Sequence, residues 1–121
     1  MKVRAKDSRG KWIFGIAPTP DKTQLLMPDD SFTRVDPNTV CEFSNCFDRN
    51  GTEIYAGDIL KADDEFLLVY NCCGRFLTGI PKLVDVYQLY IDDLDNARNV
   101  KIVGNIFDNP DFFDLLPLEE E

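Results

Sequence analysis

The chain has 121 residues, 44% hydrophobic and 29% charged, with 13 basic against 22 acidic residues and a net charge of −9 at pH 7. That length holds one modest core, and the balance excludes wholesale disorder. The negative field disfavours non-specific binding to DNA or RNA, while it suits a basic protein partner or plain solubility.

The opening run, Met1 to Pro18, is interrupted by charge throughout and has no apolar segment of the signal-peptide kind. No apolar run approaches the roughly 20 residues a membrane helix requires. The expectation is a cytoplasmic protein with no membrane partner, in which Cys41, Cys46, Cys72 and Cys73 are reduced thiols.

In chain order the dominant period is two, the strand period. Val3 and Ala5 alternate with Lys2, Arg4 and Lys6; Asp7-Ser8-Arg9-Gly10 turns; and Trp12, Phe14 and Ile16 fall on one face, which predicts a first hairpin. Pro18 and Pro20 break the chain, since proline fixes φ and lacks a donor. Gln24 to Met27 and Phe32 to Val35 are short and read as strands or a brief helix.

Thr39 to Phe47 predicts a strand with Cys41 and Phe43 on one face. It leads into DRNGTEIYAGDIL, Asp48 to Leu60, which packs two glycine-centred bends around a short apolar run. Asn50-Gly51 suits two successive positive-φ positions, hence a tight reversal. Gly57-Asp58 opens a strand over Ile59 to Ala62, in which Asp58 accepts hydrogen bonds from turn amides. Tyr55 is expected to lay its ring over the end of the fold with its hydroxyl outward.

Phe66 to Tyr70 reads as a strand, and Leu83 to Ile91 as a strand with large groups on both faces. Val100 to Phe107 is the last strand, with Gly104-Asn105 as a bulge or a close backbone approach. Asn109 as N-cap and Pro110 at the first helical position then predict a helix carrying Phe112, Phe113, Leu115 and Leu116. Many short strands with closely spaced turns argue for a barrel or sandwich.

Histidine is absent, which removes the usual general base, the commonest zinc ligand and any Cys-His or Ser-His nucleophile pair. The cysteine spacings do not match paired zinc knuckles, so thiols acting as small hydrophobes outweigh a metal site. Asp92-Asp93-Leu94-Asp95-Asn96 fails as a calcium loop, because Arg98 and Gly104 fall where that loop needs Gly and Glu. No phosphate-cradling glycine motif is present. Trp12, Tyr87 and Tyr90 are the candidates for a partner surface, although core is the expected place for Trp12 and more so for Phe14.

Two blocks taken together resemble the signatures of the YopX-like family of phages and prophages. The first comprises Asp48, Asn50, Gly51, Glu53, Ile54, Tyr55, Gly57, Asp58 and Ile59; the second comprises Gly104, Asn105, Ile106, Phe107, Asp108, Asn109 and Pro110. Lys2, Arg4, Ala5 and Asp7 resemble the family's opening, and Val35-Asp36-Pro37 with Thr39-Val40 the run before its middle block. Ser44-Asn45-Cys46 departs from the usual Thr-Gly-Leu.

The resemblance implies an all-β protein with an SH3-type barrel and brings no catalytic residues or cofactors. The expected organisation is an N-terminal hairpin segment (1–36), a barrel (37–108), and a short helix with an acidic tail (109–121), packed as one compact domain. The expected role is a non-enzymatic phage or prophage accessory that binds a protein partner in the bacterial cytoplasm. The second reading is a nucleic-acid-related protein, either a single-strand binder or an acidic DNA mimic. Self-association as a homo-oligomer is compatible with both. The family signature residues are read as structural.

Overall fold

The computed structural model describes residues 2–62, 65–72, 75–79, 89–90 and 100–111. The protein is all-β, with antiparallel sheets, and it divides into two compact units, Met1–Ser44 and Asn45–Glu121. Among the described residues, no helix is long and apolar enough to cross a membrane.

In the first unit, β1 (Val3–Lys6) and β2 (Trp12–Gly15) form the expected hairpin, with Val3 opposite Gly15, Ala5 opposite Ile13, Arg4 opposite Phe14 and Lys6 opposite Trp12. Strands β3 (Ala17–Pro18), β4 (Gln24–Leu26) and β5 (Phe32–Arg34) make a separate three-stranded sheet in that order. The proline run thus does not simply break the chain: Pro18 sits in an edge strand, the one sheet position where a missing donor costs little. Asp36 caps a single-turn 3₁₀ helix, Pro37–Thr39, by accepting from the Asn38 N–H at 3.0 Å, so the next strand starts at Cys41 rather than Thr39.

That strand, β6 (Cys41–Phe47), pairs with β1 at its start. Its buried positions, Cys41, Ser44 and Cys46, do not keep one parity, and Asn45 at φ 68° marks the irregularity. Asparagine is among the few residues besides glycine that tolerate this region.

In the second unit, β7 (Glu53–Tyr55) neighbours β6. β8 (Asp58–Ala62), β9 (Glu65–Cys72), β10 (Arg75–Gly79), β11 (Leu89–Tyr90) and β12 (Val100–Asn105) form a five-stranded sheet ordered β11-β10-β9-β8-β12. The ladder of β12 against β8 skips one residue between Ile102 and Gly104, the expected bulge. Among the described residues, β11 and β12 stand at the two edges of the sheet, and the expected closed barrel is not seen. The expected strand over 83–88 and the helix over 112–116 lie outside the described residues.

Each unit has its own core. Val3, Ala5, Leu25 and Val35 are buried in the first, flanked by Ile13, Met27 and Val40; Cys46, Ile54, Leu60, Val69 and Val100 are buried in the second, with Ile102 against them. Each of the larger aliphatic groups contributes roughly 1.5–3 kcal/mol when removed from water.

The first hairpin faces the opposite way from expectation. Its inward positions are Ile13 and Gly15, while Phe14 is 53% exposed and Ile16 is also exposed. The inward position at residue 15 takes a glycine because a Cβ there would lie 2.9 Å from the Leu26 carbonyl oxygen. With no side chain at Gly15, the inward face shows almost no apolar signal, and the outward aromatics mimic one.

Four turns share one construction. They span Asp7–Gly10, Thr19–Lys22, Met27–Asp30 and Asp48–Gly51, and in each the fourth N–H donates to the first carbonyl, at 2.8–3.0 Å. The fourth residue is at positive φ every time: Gly10, Lys22, Asp30 and Gly51. At the DRNGT bend only Gly51 is at positive φ, not Asn50. The bend is therefore a type I turn followed by a left-handed residue, and the expected pair of positive-φ positions does not form.

Candidate functional site

The first signature block is organised by Asp48, which is buried. Its Oδ1 accepts from the Asn50 N–H at 2.8 Å and the Thr52 N–H at 2.9 Å, and these bonds hold the turn. Its Oδ2 accepts from the Ile102 N–H at 3.1 Å, on β12, and the Arg49 N–H donates to the Val100 carbonyl at 2.9 Å. One carboxylate thus serves three main-chain donors from two segments more than fifty residues apart.

The second bend makes a similar joint. Asp58 is 1% exposed, and its Oδ2 accepts from the Tyr55 N–H at 2.8 Å. Gly57 donates its N–H to the Val69 carbonyl at 2.8 Å and accepts from the Ile106 N–H at 2.9 Å. Tyr55 is itself buried, and its hydroxyl donates to Glu53 Oε1 at 2.8 Å rather than reaching outward. A buried phenol needs an acceptor, and Glu53 supplies it.

The second signature block closes on itself. Asn105 Oδ1 accepts from the N–H groups of Phe107 (3.0 Å) and Asp108 (2.8 Å), and its Nδ2 donates to Asp108 Oδ2 at 3.0 Å. The Asn109 N–H donates to the Asn105 carbonyl at 2.8 Å, and Asn109 Oδ1 accepts from the Asn105 N–H at 3.2 Å. A Cβ on Gly104 would lie 2.5 Å from Asn109 Oδ1, so only glycine leaves room for that side chain. Pro110 follows in an exposed turn. The two blocks are joined residue to residue, with Asp58 opposite Asn105 in the β8–β12 ladder.

The structure separates the three aromatic candidates. Trp12 lies on β2, partly exposed; Tyr90 pairs with Leu77 between β11 and β10; Tyr87 lies outside the described residues. Cys41 and Cys46 are buried free thiols, and Cys41 Sγ donates to the Thr39 carbonyl at 3.1 Å. Among the described residues, no cluster of metal-ligating side chains is assembled.

A group that sequence reasoning did not assemble lies on the outward face of the first hairpin. The Arg4 guanidinium lies 4.4 Å from the Trp12 ring centre and the Lys6 ammonium 5.4 Å from it, while Lys2 lies 5.6 Å from the ring centre of Phe43. The signal was present: Lys2, Arg4 and Lys6 mark the outer face of β1, and the tight Asp7–Gly10 turn fixes Trp12 and Phe14 on that face.

The model of the YopX protein family matches residues 5–114. The chain belongs to this family. The match spans both signature blocks and all but the first two residues of the first hairpin, so the joints just described lie inside the YopX match. Among curated proteins, none matches the chain.

Proposed function

We propose that this YopX protein is a non-enzymatic accessory of a phage or prophage that acts in the bacterial cytoplasm by binding a protein partner. One observation carries the reading: four polar side chains of the two signature blocks, Asp48, Asp58, Asn105 and Asn109, are spent on main-chain donors and each holds backbone in place. A carboxylate already accepting three N–H groups is poorly placed to exchange protons with a substrate.

The partner's character follows from charge. Residues 45–121 carry 16 acidic against 6 basic residues, a net −10, whereas residues 1–44 carry 6 against 7, a net +1. The second unit therefore suits a basic protein surface, which electrostatic attraction steers and salt weakens. We further propose the SH3-type roll with a short C-terminal helix as the complete form of this unit.

The test is affinity capture of the tagged full chain from host lysate, followed by carboxyl-directed cross-linking. The expected partner is basic, is released as salt rises, and cross-links to residues 45–121. Cross-links confined to residues 1–44, or turnover abolished by an acidic-residue variant that stays folded, overturn the reading.

A further inference from the structure

We propose that the outward face of β1, β2 and the start of β6 binds single-stranded nucleic acid, with bases stacking on its rings and phosphates meeting its cations. This does not rest on the protein-partner reading, which concerns the other unit.

Rings and cations alternate across the three strands. Phe43 lies under Lys2, Trp12 lies between Arg4 and Lys6, and Phe14 stands opposite Arg4 in the ladder and is 53% exposed. Lys2 is exposed and Lys6, Trp12 and Phe43 are partly so, whereas Arg4 is buried, so Lys2 and Lys6 are the cations of this face that reach a phosphate. This combination is what sequence-tolerant single-strand binders require: every base has a face to stack, and every linkage has a phosphate to neutralise. An acidic peptide would offer carboxylates to the cations but few planar faces to stack on the rings, whereas every base of a single strand carries one.

The chain's acidic balance does not cancel the face. Lys2, Arg4, Lys6, Arg9 and Lys11 put five of the first unit's seven basic residues into its first eleven positions. The acidic excess belongs to the second unit, and the first unit, with 7 basic against 6 acidic residues, is not itself acidic. A duplex presents its bases edge-on in grooves, so it offers these rings no face to stack on. The single strand is the form selected, and the chemistry is shared by DNA and RNA.

Trp12 is the only tryptophan, so its emission reports directly on this face. The full chain is titrated with oligo-dT and, separately, oligo-rU of about 15 nucleotides. The expected result is saturable quenching by at least one of them, and the two arms tell DNA from RNA. Affinity falls as salt rises from about 50 to 200 mM, with a log–log slope near −0.7 for each phosphate neutralised.

Phe14→Ala removes an exposed ring without disturbing either core, and circular dichroism checks its folding. It is expected to weaken binding roughly tenfold or more. Lys2→Ala and Lys6→Ala should each make the slope shallower by about 0.7. No quenching by either oligonucleotide at the lowest salt overturns the proposal, as does equal binding by folded Phe14→Ala. A Glu-Tyr copolymer that quenches Trp12 where the oligonucleotides do not overturns it in favour of an acidic protein ligand.

Discussion

The turn at Asp7–Lys11 and the turn at Asp48–Thr52 are built alike and placed differently. In both, the aspartate N–H meets the carbonyl four residues on at 2.9 Å, the glycine N–H returns to the aspartate carbonyl, and one carboxylate oxygen accepts two turn amides. The glycines sit at φ 78° and 81°. The difference is the second oxygen. Asp7 lies at the surface and closes only its own hairpin, whereas buried Asp48 reaches Ile102 on β12. The same local code therefore makes a simple corner in one unit and a long-range joint in the other. Burial, not turn geometry, turns the aspartate into a structural hub.

The largest expected effect comes from breaking that joint. Asp48→Ala strips the acceptor from three amides in and beside a core, and an unsatisfied buried donor costs about 1–3 kcal/mol. Denaturant unfolding should show a loss of about 3 kcal/mol or more for Asp48→Ala, and a clearly smaller loss for Asp7→Ala. Equal losses from the two variants would show that the Ile102 contact contributes nothing.

A smaller effect separates turn chemistry from environment. Neither Gly10 nor Gly51 has any atom within 4 Å of where a Cβ would sit, so alanine at either position meets only the backbone penalty. Each Gly→Ala change should cost about 1–2 kcal/mol, and the two values should agree closely. The equivalent position in the Thr19–Lys22 turn holds Lys22 at φ 63°, and Lys22→Gly should raise the thermal midpoint slightly. A drop there would mean that the lysine side chain offsets its strained backbone.

The smallest effect is in acid. Asp7 is held below the ordinary carboxyl value of 3.8 by the N–H groups of Lys11 and Arg9, Asp21 by the Thr23 hydroxyl and N–H, and Asp29 by the Ser31 hydroxyl and N–H. Their folded values lie below the unfolded one, so the stabilisation is present above that value and fades as pH falls through the depressed ones. Amide protection in these three surface turns, taken relative to the intrinsic exchange rate at each pH, should fall below pH of about 4 and change little between pH 5 and 7. A loss of protection above pH 5 would assign the effect to other groups.

Much of the strand order is legible because alternation and turn residues are local signals. The first hairpin, the bulge before Gly104 and the strand opened by Gly57-Asp58 all follow from them. What misleads is absence. Gly15 contributes no side chain to the inward face of β2, so Trp12, Phe14 and Ile16 present the stronger periodicity and point to the wrong side. Tyr55 misleads in another way: nothing in its neighbours' identity says that the Glu53 carboxylate will turn back to accept its hydroxyl.

By itself the sequence determined the class of fold, the corners and the family, since alternation, glycine and aspartate act over a few residues. Only the tertiary structure decided which face of the first hairpin is wet, that Asp48 binds a strand far along the chain, and that the two signature blocks lock together. Those outcomes depend on which segments approach in space, and a buried donor is satisfied by whichever acceptor arrives, however distant in the chain.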